Sequence, residues 1–482
     1  MINLSKKDIY ILILSVLIMI VTTVMSVKLE MDIIALPLVG VILLSLSYLL
    51  IKDDSLLLTF IIISGLTLTF MIENIGINSF IKYILDYFII LAFCKNIYYF
   101  ITKEAKITAV NVVMIIFTIF TIISAFINKT DIKRYTFMFY TDYFRYFIIF
   151  MSVCNFDLKQ DFIKTYLSKL NIALLLQIPM IVIQYFYYQK YWVPREVRDL
   201  RQDYISGIMG GKGTSEWGMI VCIAISIFYI LYQRKKCTLK SFVILAVSLV
   251  VTLILGESKF AIILMVLILL ILTMIKLNIK GVISMILIFL IACFGMSQLG
   301  KVYSTFNGFL LNKDFVSEYA DLNYAGSNLS RTTSLKVANE QLQESGAHVL
   351  FGRGIGNAKV RGTIIGEKNE FLSNNIYEFK MFSISQFLVE NGWLGFIMFF
   401  SIWFYLLYIS IKLMKNGIDE NQKIIGNCGI PLILTVIAST FYLMCMVKIS
   451  FSVLAWFLMG ILYRTYNDMK NGKRLNFETV NK

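Results

Sequence analysis

The run Ile107-Thr108-Ala109-Val110-Asn111-Val112-Val113-Met114-Ile115-Ile116-Phe117-Thr118-Ile119-Phe120-Thr121-Ile122-Ile123-Ser124-Ala125-Phe126-Ile127 is 21 residues long and carries no charge. Its length matches the hydrocarbon thickness of a bilayer, about 20 residues at about 1.5 Å each. In lipid the backbone must satisfy its own hydrogen bonds, so such a run becomes a helix. A transmembrane barrel would show alternating segments of about ten residues instead.

Outward from this stretch, similar runs recur at about 9–27, 33–51, 55–72, 79–94, 136–153, 163–187, 217–233, 239–256, 260–275, 281–298, 393–411, 428–446 and 449–463. The expected fold is an all-α polytopic membrane protein of about 12–14 transmembrane helices, with one large extracytoplasmic loop between the late helices. Composition agrees. Hydrophobic residues make up 58%, charged residues 16%, and there are four prolines; the mean hydropathy is +0.75. The runs at 79–94 and 136–153 fit least well, because they contain Asp86, Asp142 and Arg145. Three parts follow: N-terminal transmembrane helices over 1–298, a loop with short helices over 299–382, and C-terminal helices with a tail over 383–482.

The net charge of +15 would point to nucleic acid in a soluble protein. Here lysines and arginines collect in alternate short loops, where they hold cytoplasmic segments at an anionic leaflet, and no nucleic-acid partner is expected. Lys6 and Lys7 precede the first apolar run, which reads as a retained signal anchor. With both termini cytoplasmic, the 299–382 interval faces outward. The seven cysteines are scattered without a paired motif, so neither a disulfide framework nor a metal site is expected. Two outward segments break the charge rule. The loop 188–216 carries Arg195, Arg198, Arg201 and Lys212, and the turn Gly256-Glu257-Ser258-Lys259 places Lys259 at a helix mouth. They read either as solvated loops or as cations held for an anion.

The 299–382 interval holds the single histidine, His348, with Arg331, Arg353 and Arg361. Residues 330–345 read as a helix with Ser330 as N-cap, an apolar face of Leu335, Ala338 and Leu342, and Gly346 as its stop. That places Arg331 in the first turn, against the helix dipole, as a surface arginine or as part of a phosphate site. Gly352-Arg353-Gly354-Ile355-Gly356-Asn357 has neither the spacing nor the context of a dinucleotide fingerprint. It is a tight loop, or its free amides and the neighbouring arginines receive a pyrophosphate. Glu390, in Phe387–Gly395, lies where the chain re-enters the membrane, at a helix corner or as a functional carboxylate.

These segments together resemble the O-antigen polymerase and ligase superfamily, membrane glycosyltransferases that act on polyprenyl-diphosphate-linked glycans. The resemblance rests on the order of the helices and the late outward loop, and on Arg331 followed by a helix and Phe351–Asn357. Glu390-Asn391-Gly392-Trp393-Leu394-Gly395 matches the family's Glu-x-Gly-x-x-Gly pattern. Gly256–Phe260 is similar to a Ser-Arg helix mouth, with Lys259 in place of arginine, and Arg201–Gly207 matches an earlier arginine-plus-glycine loop. The family's ligases carry a histidine shortly before the re-entry motif; this chain has Glu378-Phe379-Lys380-Met381-Phe382 there.

The resemblance therefore implies a polymerase of lipid-linked repeat units in a bacterial inner membrane, making an O-antigen or capsule type of surface polysaccharide. A ligase of the same superfamily and a lipid-linked oligosaccharide flippase are the alternatives. It implies Arg331, Arg353 and Glu390 as catalytic residues, and Arg201, Lys259, Arg331, Arg353 and Arg361 around the diphosphate. It implies no cofactor and no metal. Undecaprenyl-diphosphate-linked oligosaccharide, membrane lipid and a chain-length regulator protein are the implied partners. Glu390, Glu257, Glu216 and His348 are the candidates for the base.

Overall fold

The computed structural model describes residues 47–102, 107–158, 162–191, 201–275, 279–300, 321, 329–358, 371, 377, 379–442, 444 and 446–475. The chain is an all-α polytopic membrane protein. Its first described helices are α1 (Asp54–Glu73), α2 (Lys82–Ile101) and α3 (Ala109–Ile127). A short α4 (Ile132–Phe139) continues through a π-helical turn, Tyr140–Phe144, into α5 (Arg145–Asn155). Then follow α6 (Phe162–Tyr191), α7 (Thr214–Gln233), α8 (Leu239–Leu255), α9 (Lys259–Ile275) and α10 (Ile279–Gly300). The polar interval contributes α11 (Ser334–Leu342) and α12 (Gly346–Phe351). Last come α13 (Ser383–Asn416), α14 (Glu420–Tyr442) and α15 (Ile449–Lys470).

Among the described residues, eight helices are long and apolar enough to cross a membrane: α1, α2, α3, α6, α7, α13, α14 and α15. The apolar helices α8 and α9 are shorter, at 17 residues each. The run expected at 9–27 and most of that at 33–51 lie outside the described residues. The sequence caps its helices locally. Asp53, Thr108, Asp131 and Thr238 each accept a hydrogen bond from a backbone N–H in the first turn that follows, satisfying donors that the helix itself cannot.

The helices form an inner and an outer set. In their apolar windows α15 is 83% buried within the protein and α6 only 17%, so α15 is an axis and α6 a lipid-facing stave. Lipid is as apolar as leucine, so helix contacts in a membrane rely on close fit. Glycines provide it. A Cβ on Gly65 of α1 would meet Val453 of α15 at 2.8 Å, and one on Gly460 of α15 would meet Val153 of α5 at 2.8 Å. An aromatic core fills the centre. Phe399 lies 5.3 Å from Phe117 and 5.3 Å from Tyr143, and Trp456 lies 5.6 Å from Phe147, by ring centroids.

The charges that fitted the membrane reading least well are paired inside the bundle. Arg145 faces Asp86 at 4.0 Å, and the Tyr140 hydroxyl donates to Asp86 at 2.9 Å. Gln386 donates to Asp142 at 3.3 Å. Basic residues toward one end of the bundle find acceptors there. Lys95 pairs with Asp54 and Arg234 with Glu420, while Arg464 donates to the carbonyl of Phe156. The opposite end gathers the 128–134 connection, the 201–213 loop, the α8–α9 turn, α11, α12 and the start of α13.

Candidate functional site

The first feature at this end is a break in α13. Gly392 adopts φ 62° and ψ −175°, so the helix from Ser383 stops and a second segment restarts from Trp393. The segment before the break begins ten residues ahead of the apolar run expected at 393–411. The break leaves the carbonyls of Val389 and Glu390 without helical donors. The glycine string supplies them. Arg353 donates its backbone N–H to Val389 O at 2.7 Å, and Gly354 donates to Glu390 O at 3.0 Å. The Gly356 N–H donates to Glu390 Oε1 at 3.0 Å, and Gln386 Nε2 donates to Glu390 Oε2 at 3.1 Å.

Two glycines make this contact possible. Gly352 has φ 69°, and a Cβ there would lie 2.5 Å from Glu390 O. A Cβ on Gly392 would lie 2.5 Å from Leu350 O. Backbone therefore meets backbone, at two left-handed positions that only glycine occupies without strain. The string is anchored to the last turn of α3 and the α3–α4 connection: the Phe351 carbonyl accepts from Ser124 at 2.6 Å, and Asn357 donates to Thr130 Oγ1 at 2.9 Å. The sequence reads the string as a tight loop or as free amides for a pyrophosphate. Those of Gly352, Arg353, Gly354, Gly356 and Asn357 all have acceptors within the protein. Glu390 is wholly buried, and its two oxygens hold the loop and Gln386.

The second feature is a cationic mouth. Arg331 lies in the turn before α11, whose N-cap is Thr333, so the arginine stands outside the helix and not in its first turn. The helix ends at Leu342, and Gly346 opens α12. The Arg331 guanidinium lies over the ring of Tyr442, 5.0 Å from its centroid. Phe260 stacks on the same ring at 4.3 Å with planes 8° apart. Beside Phe260, Lys259 is buried and feels both the Glu257 carboxylate and the Arg331 guanidinium through space. The turn is fixed from below. Ser258 donates to the Thr214 carbonyl at 3.0 Å, and a Cβ on Gly256 would meet Thr214 Cγ2 at 2.6 Å. Two residues far apart in sequence, Lys259 and Arg331, thus converge at one helix mouth.

The other predicted residues divide. Arg353 pairs with Glu344, donates to the Gln341 carbonyl at 3.0 Å and covers the Phe371 ring at 4.7 Å. Gln341 is ten residues beyond Arg331, about 15 Å along a helical path. The two arginines therefore stand at opposite ends of α11. His348 sits beside Arg353. Its partial burial and the Arg353 charge hold its pKa below the usual imidazole value, against the pull of Glu344. Glu216 caps α15: it accepts from Ser450 and the Phe451 backbone and pairs with Lys448 at 3.5 Å. Arg201 opens a short turn, Arg201–Tyr204, packed on α6 and α7. Arg361, Arg195 and Arg198 lie outside the described residues.

Tyr442, Gln386, Asp142 and Tyr143 were not singled out as site residues. Each is an aromatic or amide inside an apolar helix, or a lone acid, and no spacing pattern marks it. Tyr143 accepts from Asn391 at 3.1 Å, so consecutive residues of the π-helical turn, Asp142 and Tyr143, both hold the segment around Glu390. Such turns recur at functional positions. Set against models of known protein families and against curated proteins, the chain matches none.

Proposed function

We propose that this chain is a membrane glycosyltransferase that polymerises polyprenyl-diphosphate-linked repeat units on the extracytoplasmic face of a bacterial inner membrane. The observation that carries the reading is the meeting of Lys259 and Arg331 around Tyr442, at the end of the bundle where the polar interval and the 201–213 loop collect. Polymerisation moves a growing glycan from a lipid diphosphate to a sugar hydroxyl on another lipid-linked unit. Negative charge builds on the departing diphosphate as the glycosidic bond breaks. Fixed cations beside a helix mouth stabilise that charge without reorganising during the reaction. Tyr442 and Phe260 hold Arg331 in place and present an aromatic wall, which suits a substrate with both lipid and sugar parts.

In this reading the Glu390 assembly is scaffolding. It fixes the start of α13, against which α11 packs through the Trp393–Asn339 hydrogen bond of 2.8 Å, and α11 in turn follows Arg331. The test uses purified protein and lipid-diphosphate-linked repeat units from the same cell, without nucleotide sugar. A ladder of longer glycans is expected from the wild type. It is expected to vanish in Arg331→Ala, at unchanged melting temperature. Repeat units left unextended by a folded wild type would overturn the proposal; single units joined to an added acceptor would indicate a ligase.

A further inference from the structure

The connection from α3 to α4 carries Lys129, Lys133 and Arg134, at the end of the bundle where the charge pattern expects turns poor in cations. α3 itself has 19 residues and no charge. At about 1.5 Å per residue it rises about 28 Å, close to the hydrocarbon thickness of about 30 Å. Residues 128–133 therefore stand at headgroup level, in the leaflet on the side of the cationic mouth.

The chain itself gains little from the two lysines there. Arg134 turns inward: it is buried, and a Cβ on Gly356 would meet its Cγ at 2.9 Å. Lys129 and Lys133 are exposed. Lys129 takes the left-handed position past α3, at φ 49°, which favours glycine. Lys133 is the second residue of α4, where a cation opposes the helix dipole. Asp131, between them, caps α4 and accepts from the Arg134 N–H at 2.9 Å. Among the described residues no carboxylate pairs with either ammonium.

Around and below the lysines the surface is apolar. Phe126 is 79% exposed and Ile132 74%. Ile132, Lys133, Thr136, Phe137 and Tyr140 line one shallow groove of about 430 Å³, which runs down α4 into the π-helical turn. Its order is that of a lipid: cations at headgroup level, then a hydroxyl, then aromatic rings. The floor is fixed to the interior, since the Tyr140 hydroxyl donates to Asp86.

We propose that this groove binds an anionic phospholipid of the surrounding leaflet, with its phosphate between Lys129 and Lys133 and an acyl chain along Phe137 and Tyr140. The phosphate supplies the negative charge that the chain does not. A zwitterionic lipid brings its own cation to the same place and gains less from the lysines. One lysine near an anionic headgroup is worth about fivefold in binding, so the pair gives about a 25-fold preference.

The experiment uses full-length protein in detergent micelles with phosphatidylglycerol that carries a photoreactive diazirine in its acyl chain, and maps the labelled peptides. Label is expected within 132–140. Unlabelled phosphatidylglycerol is expected to displace it at a concentration about 25-fold lower than phosphatidylcholine requires. Lys129→Gln/Lys133→Gln is expected to melt as the wild type does, both side chains being exposed, and to lose that preference. Lys236→Gln/Lys240→Gln, at the opposite end of the bundle, is expected to keep it. No label within 132–140, or equal displacement by the two phospholipids, overturns the proposal. So does a preference that survives in the first double variant or falls equally in the second. Displacement by a polyprenyl phosphate at lower concentration than by phosphatidylglycerol assigns the groove to an isoprenoid substrate, and overturns it too.

Discussion

The Glu390 assembly and the Lys259–Arg331 mouth sit at the same end of the bundle and handle polar groups in opposite ways. Around Glu390 the backbone donors of the glycine string go to helix carbonyls and to the carboxylate itself. At the mouth, two cations and one carboxylate share a small space under an aromatic wall. The first is an arrangement complete within the chain, as buried polar groups require. The second concentrates like charges, which is unfavourable in itself and becomes favourable with an anion between them. A motif rich in glycine and arginine thus closes on the chain itself, and a plain helix mouth gathers the charge.

The sharpest way to break this comparison is at the glycines. Gly352→Ala and Gly392→Ala each drive a methyl group into backbone at a left-handed position. A loss of about 3 kcal/mol or more is expected, from strain and overpacking together. Little monodisperse protein should survive detergent extraction. Survival of either variant at the wild-type melting temperature would show that α13 does not depend on the string.

Next comes the pair of arginines. Arg331→Ala is expected to lower the rate of chain extension by about 100-fold, the effect of removing one charge-stabilising donor. Arg353→Ala is expected to lower it by much less and to lower the melting temperature instead, because Arg353 ties Glu344 and Gln341 to the loop. Equal rate losses at equal stability would place both arginines in the site and erase the distinction.

The apolar runs made the fold legible, since a charge-free stretch of membrane length has one way to satisfy its backbone. The one cap read from the sequence, Ser330, falls three residues early, because the helix begins after Thr333. Arg331 and Lys259 stood out as cations in segments that the charge pattern expects to face outward. What could not be read was their meeting, because Tyr442 joins them from a helix more than a hundred residues away and nothing local marks a tyrosine as a platform. The glycine string reads both ways in sequence, as a tight loop or as an anion cradle. Its amides look available in sequence, and only the kink at Gly392, itself a tertiary choice, creates the carbonyls that take them. Asp142 and Arg145 counted against a span for want of visible partners, which α2 and α13 supply.

A smaller effect is expected at the carboxylate itself. Glu390→Ala takes the acceptor from the buried Gly356 N–H and leaves the Gln386 amide with Asp142 alone, a loss of about 1–3 kcal/mol. Glu390→Gln keeps an oxygen for Gly356 and should lose less. Thermal melting in one detergent, with extension rate measured well below the transition, separates the two contributions. A Glu390→Gln variant of wild-type stability with no extension would move the chemistry to Glu390.

The smallest effect concerns acid. His348 has its pKa held below the ordinary value of about 6.5 by partial burial and by Arg353. The unfolded chain therefore takes a proton on this residue before the folded chain does. Above that pH both states are neutral here and the residue makes no difference. As pH falls through it, stability is lost, and the loss is complete once the folded imidazole is protonated too. His348→Asn is expected to melt slightly less differently between pH 7.5 and pH 5.5 than the wild type. Arg353→Gln should shrink the wild-type difference as well, since it removes one of the two causes while leaving the imidazole in place. If Arg353 instead faces a bound anion in the working protein, its charge is neutralised there, and adding donor lipid should shrink the difference as the substitution does. A difference indifferent to donor lipid would keep Arg353 with the scaffold, where its contacts to Glu344 and Gln341 place it.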